Sequence, residues 1–153
     1  MLPIRIQRLD PTLPLPKYHS SGAVGFDLIT RETTIIEPGK IGLVPGNLIV
    51  QVPHGYALLI VPRSSLPRKK ALVCPHSIGI IDQDYHGEKD EILVQVQNVS
   101  SEPVTVERGE RIAQGIFVKV EVAEWEEVES HGKESRGGFG STGTHHEGIG
   151  NRT

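Results

Sequence analysis

Apolar and polar side chains alternate along most of the chain with a period of two, which is the period of a β-strand. Residues 4–9 read IRIQRL, so Ile4 and Ile6 face one side while Arg5 and Gln7 face the other. The same alternation recurs at residues 48–52, 57–61, 92–98, 104–107 and 117–125. We therefore predict a protein built from short strands that are half or wholly buried.

Turn-forming residues separate these segments, with proline or glycine at 38–39, 45–46, 53–55, 103 and 109. The best helix candidate is one turn over residues 64–70, capped by Ser64 or Ser65 and interrupted by Pro67. Many short strands joined by such turns predict an all-β fold. We expect a jelly-roll-like barrel or sandwich with one short helical turn.

The composition changes towards the end of the chain. Residues 121–134 are rich in glutamate, and the 24 residues from Ser130 onward contain seven glycines and almost no apolar side chains. Such a segment cannot bury enough apolar surface to order itself. We therefore predict a β domain over residues 1–129 and a flexible tail over residues 130–153.

Length and charge narrow the class of protein. The chain has 153 residues and a formal net charge of −3, so we expect one domain without a general attraction to nucleic acid or to anionic membranes. It lacks an apolar run long enough to span a membrane and the apolar core of a signal peptide. The single cysteine, Cys74, excludes an internal disulfide and indicates a reducing, cytoplasmic location.

The tail contains a candidate anion site at residues 136–143, RGGFGSTG. Arg136 offers a guanidinium, Ser141 and Thr142 offer hydroxyls, and the glycines expose backbone N–H groups. Phe139 is suited to stacking on a base. The GFGSTG run matches the G-x-G-x-x-G pattern of a dinucleotide loop, but no helix is predicted to follow it. A glycine-rich tail without any function remains the alternative.

A second candidate anion site lies at residues 61–70, VPRSSLPRKK. Arg63 stands beside Ser64 and Ser65 at the start of the predicted helical turn, where hydroxyls and the positive helix end favour an anion. A capped turn with a solvated basic edge explains the same residues equally well.

Carboxylates follow an apolar hairpin arm at residues 78–88, IGIIDQDYHGE. Asp82 ends this arm and could act as a general base, with Tyr85 close by. Aspartate and glycine are also ordinary hairpin-turn residues. Asp27 follows a glycine-rich stretch, where an acid is usually a turn residue.

Together, two anion sites, an aromatic side chain and a carboxylate predict a protein that binds a nucleoside polyphosphate and activates a water.

These segments identify a resemblance to the trimeric dUTP pyrophosphatases (dUTPases), whose five motifs occur here in the same order over residues 20–143. The matching segments are GAVGFDL (22–28), PRSSL (62–66), GIIDQDYHGE (79–88), RGERIAQGIF (108–117) and RGGFGSTG (136–143). The resemblance implies a jelly-roll homotrimer with three active sites, each assembled from all three chains. It also implies hydrolysis of dUTP to dUMP and pyrophosphate with Mg²⁺, which limits uracil in DNA and supplies dUMP for dTMP synthesis.

The resemblance also implies roles for individual residues. Asp82 would deprotonate the attacking water, and Tyr85 would pack against the deoxyribose and exclude a ribose 2′-hydroxyl. Asp27 would help to hold the water shell of a metal that has no direct protein ligand. The phosphates would contact Arg63, Ser64, Ser65 and Gln114. In the tail, Arg136, Ser141 and Thr142, together with Gly140, would bind the terminal phosphate while Phe139 covers the uracil.

The chain departs from the family pattern at three places. Ser65 stands where the family usually has glycine, and the turn at residues 86–91 is a residue or two longer than usual. His76 occupies a position where the family commonly has asparagine. We expect the backbone of Gly79 and Ile80 to read the edge of the uracil.

Two other readings compete with a dUTPase. A dCTP deaminase shares the fold and an RSSL-type motif, but it needs a glutamate base and a different third motif than GIIDQDY. A trimeric nucleotide-binding module without catalysis is the alternative outside enzymes, and the presence of Asp82, Arg136 and Phe139 argues against it.

Overall fold

The structure, a computed structural model, describes residues 2–138. Its elements are short strands with one short helix, as the alternating pattern predicts. In chain order they are β1 (Arg5–Arg8), β2 (Phe26–Leu28), β3 (Thr34–Ile36), β4 (Ile41–Pro45), β5 (Leu48–Gln51), β6 (Tyr56–Pro62), α1 (Leu66–Lys70), β7 (Leu72–Val73), β8 (Gly79–Ile81), β9 (Leu93–Asn98), β10 (Val104–Val106) and β11 (Ala113–Lys119).

The strands form antiparallel sheets whose neighbours are far apart in sequence. One sheet has the order β2-β11-β6-β8 and another the order β4-β9-β7, while β1 pairs with β5 and β10 with β3. Within residues 2–138, every pairing joins strands that are not consecutive along the chain. This arrangement is a jelly roll, so the predicted all-β fold class is confirmed.

The alternation of side chains places one face of each sheet in the core. In β9, Val94, Val96 and Asn98 are buried while the intervening residues are more exposed. The same rule buries Val44 in β4 and Leu58 in β6. The core cluster collects the buried residues of most strands, namely Phe26, Leu28, Ile36, Val44, Leu48, Val50, Val52, Leu58, Ile60, Leu66, Leu72, Ile92, Val94, Val96, Val106, Ile112 and Ala113.

Asn98 is the polar exception at the end of β9, because it is fully buried. Its side-chain nitrogen donates to the carbonyls of Ile36 (2.9 Å) and Glu102 (2.7 Å). Its oxygen accepts from the backbone N–H (2.8 Å) and the hydroxyl (2.7 Å) of Ser100. A buried amide is tolerated only when its polar atoms are satisfied, and here they join β3, β9 and the turn that follows.

The position of the last strand differs from the prediction of residues 117–125. β11 begins at Ala113 and ends at Lys119, where it pairs with Tyr56, the first residue of β6. The backbone N–H of Val120 then donates to Gly55 in the preceding turn at 3.0 Å. The apolar alternation continues beyond this point, but the partner strand does not, so the ladder stops.

The helical turn begins at Leu66, two residues later than predicted, and its N-cap position is Ser65, one of the two predicted candidates. Ser65 occupies the N-cap position with helical backbone angles, and its side chain makes no capping hydrogen bond. Ser64 lies outside the helix as well. Pro67 does not interrupt α1, because it lies in the first turn, where no N–H is needed.

The chain divides into two compact units, one ending at Glu121 and the other beginning at Val122. The described part of the second unit, residues 122–138, contains no helix or strand. Its turns include bonds from the backbone N–H of Gly132 to the Ser130 hydroxyl (3.1 Å) and from Gly137 to Ser135 (3.2 Å). The predicted division into a β domain over 1–129 and a tail over 130–153 stays a prediction.

Ala71 provides a test of backbone strain at the end of α1. It adopts the left-handed conformation with φ 50° and ψ 33°. This conformation costs an L-residue about 1 kcal/mol relative to glycine. We expect Ala71→Gly to raise the free energy of unfolding by about 0.5–1 kcal/mol, measured by urea denaturation at fixed protein concentration. Ala23→Gly is the matched control, since Ala23 has no positive φ; an equal gain in both variants would contradict the explanation.

Candidate active site

Asp27 lies in the middle of β2 and is buried, with 8% of its surface exposed. The sequence suggested a turn residue here, and that expectation is wrong. β2 pairs with β11 so that Asp27 stands opposite Gln114. The flanking residues Phe26 and Leu28 belong to the core, and this packing carries the carboxylate into a protected position.

Three basic side chains surround this carboxylate. Asp27 Oδ1 lies 3.3 Å from Arg63 Nε, and Oδ2 lies 3.1 Å from Arg111 Nη1. The Nε2 atom of His19 lies 3.0 Å from Oδ2. A buried carboxylate is stable only when opposite charges or hydrogen-bond donors replace its lost hydration. Here each carboxylate oxygen faces a different arginine.

Arg63 follows the end of β6 and is held from both its backbone and its side chain. Its backbone N–H donates to Ile112 O at 3.0 Å, and its Nη1 donates to Arg111 O at 3.3 Å. One of the five N–H donors of its guanidinium is therefore used on Arg111 O, while its Nε forms an ion pair with Asp27 Oδ1 at 3.3 Å. The remaining donors are free to bind an anion.

A cationic cavity of about 310 Å³ adjoins Arg63. Its lining residues include Arg63, Ser65, Lys69, Lys70 and Arg111. Lys70 is committed elsewhere, because its Nζ bonds Glu110 Oε2 (2.8 Å) and Thr105 O (2.7 Å). The net positive charge suits an anion such as a phosphate. Ser64 is exposed on the same loop.

Gln114 enters the same end of the sheet from β11. It stands between Asp27 on β2 and Val61 on β6. A Cβ on Gly25 would come within 2.9 Å of its Oε1 atom, so the glycine gives the amide room to lie across β2. The structure therefore brings Asp27, Arg63 and Gln114 together at one end of the four-stranded sheet.

A second cavity, of about 400 Å³, lies at the hairpin of β8. Its lining includes Cys74, His76, Gly79 and Ile80, together with Leu93 and its neighbours on β9. A Cβ on Gly79 would lie 3.7 Å from His76 Nε2, so the imidazole packs close to the hairpin backbone. Burial raises the pKa of the Cys74 thiol, which keeps it neutral and a poor nucleophile.

Asp82 and Tyr85 lie in the turn directly after β8, and both are exposed. The backbone N–H of Tyr85 donates to Asp82 O at 3.4 Å, and the Tyr85 hydroxyl donates to Glu91 O at 3.3 Å. The Arg31 guanidinium forms a bidentate ion pair with the side chain of Glu91, with Nε–Oε1 and Nη2–Oε2 distances of 2.9 Å. This bidentate pair raises the pKa of the Arg31 guanidinium, and it anchors the turn that carries the tyrosine.

Asp82 and Arg63 lie towards opposite ends of β6, whereas Gly79 pairs with Ile60 nearer the Arg63 end. Gln83, next to Asp82, donates from Nε2 to Tyr56 O at 3.1 Å, at the start of the strand. Arg63 follows its other end, and the seven residues between span roughly 20 Å at the rise of a strand. Arg63 is also turned towards Asp27 on β2, the edge strand opposite β8.

The contacts described above do not include the five tail residues that were predicted to bind substrate. Phe139, Gly140, Ser141 and Thr142 lie outside the described residues. Arg136 lies in the second unit and is exposed.

His19 and Arg111 were missed by the sequence reading, although both contact Asp27. Arg111 belongs to the RGERIAQGIF segment, and its place in that motif was the one feature of the sequence that could have indicated a role in the site. His19 precedes the first motif and gave none.

Among residues 2–138, no group of three or more histidine, cysteine, aspartate or glutamate side chains is arranged to hold a metal ion. The described part of the chain also has no helix that is long and apolar enough to cross a membrane.

Comparison with known proteins identifies the family. A sequence profile described as dUTPase matches residues 12–143. The deoxyuridine 5'-triphosphate nucleotidohydrolase of Thermobifida fusca (strain YX) is 41% identical over 145 residues, covering 93% of this chain and 79% of that protein. The dUTPase from Streptococcus mutans superposes with a TM-score of 0.73 at 35% identity, covering 78% of this chain and 98% of that one.

A further structure shows the likeness of fold alone. The Staphylococcus bacteriophage 80alpha dUTPase, solved with dUpNHpp, has a TM-score of 0.82 at 24% identity, covering 94% of this chain and all of that one (100%). The matching profile covers most of the chain, and the Thermobifida relative is well above the similarity at which a family is shared. The chain therefore belongs to the dUTPase family.

Proposed function

We propose that this dUTPase hydrolyses dUTP to dUMP and pyrophosphate with water that is activated by Asp82. The observation that carries the proposal is the presence of two complementary cavities, each lined in part by residues of the family motifs. One is cationic and centred on Arg63, and the other is lined by an apolar hairpin that ends at an exposed carboxylate. A triphosphate suits the first cavity and a planar base suits the second.

In the proposed step, Asp82 takes a proton from a water as that water attacks a phosphorus of the substrate. The α–β phosphoanhydride bond breaks, and pyrophosphate leaves as dUMP forms. Phosphoryl transfer depends mainly on positioning and on stabilising the charge of the phosphate oxygens. The free N–H donors of Arg63, with Ser64, Ser65 and Gln114, supply that stabilisation.

Mg²⁺ is proposed to arrive with the phosphates of the substrate. The magnesium ion prefers oxygen ligands and usually keeps several waters. Asp27 fits a contact through such a water better than direct ligation, because its two oxygens already face Arg63 and Arg111. The ion would supply charge neutralisation of the phosphates.

Base recognition is proposed to come from the backbone of Gly79 and Ile80. These residues line the hairpin cavity next to His76, and Ile80 is largely exposed. Backbone N–H and C=O groups can pair with the edge of uracil whatever the neighbouring side chain is. Tyr85 is proposed to pack against the deoxyribose, where a 2′-hydroxyl would collide with its ring.

A homotrimer with shared sites is supported by two features. Arg63 and Asp82 of one chain lie at opposite ends of β6, too far apart to serve one phosphate group. In addition, Ile41, Leu43 and Leu93 expose apolar surface on neighbouring strands β4 and β9, and such a patch indicates a protein interface. We propose that Asp82 of one chain completes the Arg63 site of another.

The tail is proposed to close this shared site. Arg136, Ser141 and Thr142, with Gly140, would bind the terminal phosphate while Phe139 covers the base, which excludes water from the reaction.

A cytoplasmic location is proposed from the single free cysteine, Cys74.

Asp82→Asn tests the proposed base. The amide cannot accept the proton of the attacking water, so we expect turnover of dUTP to fall at least ~10²-fold while dUpNHpp still binds. Pyrophosphate release and isothermal titration measure the two quantities. Asp84→Asn is the matched control, since it is an exposed acid two residues away. Near-normal turnover by Asp82→Asn, or release of ammonia from dCTP by the unmodified enzyme, would contradict the proposal.

His76→Ala tests how the base is read. If the backbone of Gly79 and Ile80 recognises uracil, the ratio of kcat/KM for dUTP over dCTP should change less than about threefold, since no hydrogen bond to the base is lost. A panel of dUTP, dCTP, dTTP and UTP with Mg²⁺ gives the ratio. His54→Ala, in the exposed turn before β6, controls for loss of an imidazole. A collapse of the dUTP/dCTP ratio only in His76→Ala would assign the reading to the side chain.

A further inference from the structure

Asp27 connects two arginines, of which only Arg63 has a proposed contact with substrate. We infer that Arg111 is a positioning residue for Arg63, and that it acts through the carboxylate of Asp27. The inference rests on the proposed function, because it requires Arg63 to bind the phosphates. Arg111 also lines the cationic cavity, and the inference assigns its effect to the contact with Asp27 rather than to a contact with the nucleotide.

The two oxygens of the Asp27 carboxylate contact different arginines. Arg63 Nε lies 3.3 Å from Oδ1, and Arg111 Nη1 lies 3.1 Å from Oδ2. The Arg111 carbonyl also accepts a hydrogen bond from Arg63 Nη1 at 3.3 Å. Arg111 therefore fixes Arg63 twice, once through its own backbone and once through the orientation that it imposes on Asp27.

The burial of the Asp27 carboxylate explains why the loss of Arg111 would affect Arg63. The side chain of Asp27 is 10% exposed, whereas those of Arg63 and Arg111 are 36% and 42% exposed. A buried carboxylate that loses one of two cationic partners must reorient towards the other or towards water. Either movement changes the direction of Arg63 Nε and of the free N–H donors beside it.

His19 shares Asp27 Oδ2 with Arg111 but is a less constrained partner of the carboxylate while Arg111 is present. Its Nε2 lies 3.0 Å from Asp27 Oδ2 and 2.9 Å from Arg111 Nη1. An arginine only donates and a carboxylate only accepts, so the single ring nitrogen can serve one of them at a time. The donor and acceptor roles between Arg111 and Asp27 are fixed, and that pair sets the carboxylate.

Arg108 offers a matched comparison three residues earlier in the same segment. Its Nη2 bonds Asp10 Oδ2 at 2.6 Å and Thr12 Oγ1 at 2.7 Å. It is an exposed arginine in an ion pair, as Arg111 is, but its partner holds no other arginine. Loss of Arg108 should therefore leave Arg63 in place.

A double-mutant cycle tests the inference in the full-length protein. The variants are Arg63→Ala, Arg111→Ala, the two together, Arg111→Lys and Arg108→Ala. We expect Arg111→Ala to lower kcat/KM for dUTP roughly 10- to 100-fold, the effect of losing one charge-assisted hydrogen bond. Because Arg111 acts through Arg63, the double variant should be no worse than Arg63→Ala alone. Arg111→Lys should recover part of the loss, since one amine can replace the single Nη1 contact.

The outcomes separate this inference from the proposed function. If the unmodified protein releases no pyrophosphate from dUTP, the proposed function fails. If it is active and Arg111→Ala matches Arg108→Ala, the positioning role alone is overturned. Multiplied losses in the double variant would also overturn it, because Arg111 would then act independently of Arg63. Should Arg111→Ala fail to fold, the same cycle is run with Arg111→Lys. If Arg111→Lys lowers kcat/KM by the same factor in the Arg63→Ala variant as in the unmodified protein, Arg111 acts independently of Arg63 and the inference is contradicted.

Discussion

Strand β6 pairs with β11 along one side and with β8 along the other, and this double pairing separates two groups of residues that one reaction needs. Arg63 leaves the end of β6 and turns towards Asp27 on β2. Asp82 leaves β8 beside the start of β6. Antiparallel pairing holds these two residues apart by most of the length of the strand, roughly 20 Å, which is too far for both to serve one phosphate in the proposed reaction. This separation supports the proposal that a site is shared between chains.

The electrostatics of the Arg63 site follow from the burial of Asp27. A carboxylate that is almost fully removed from water needs donors, and the fold supplies them from three different segments. The two arginines in turn tolerate their mutual proximity because a negative charge lies between them. The result is a cationic cavity whose arginine is already held in place, and in the proposed function this would reduce the entropy lost when phosphates bind.

The alternation of apolar residues was sufficient to predict the fold class, because a strand buries one face whatever its partner is. The end of β11 could not be predicted, since it depends on where β6 begins. The burial of Asp27 was missed for a related reason: a three-residue strand that follows a glycine-rich stretch shows no period, and its position is set by pairing with Gln114. His19 and Arg111 reach Asp27 from segments 8 and 84 residues away in sequence, and local patterns carry no information on such contacts.

The most direct test of the shared site uses two inactive variants, Asp82→Asn and Arg63→Ala, unfolded together in equal amounts and refolded. If each site takes Arg63 from one chain and Asp82 from another, random assembly gives roughly a quarter of sites both intact residues. Pyrophosphate release from dUTP should then return to about a quarter of the unmodified level, while each variant refolded alone stays inactive. If mixed oligomers form, as shown by native mass spectrometry, and no activity returns, Arg63 and Asp82 act within one chain and the account is wrong.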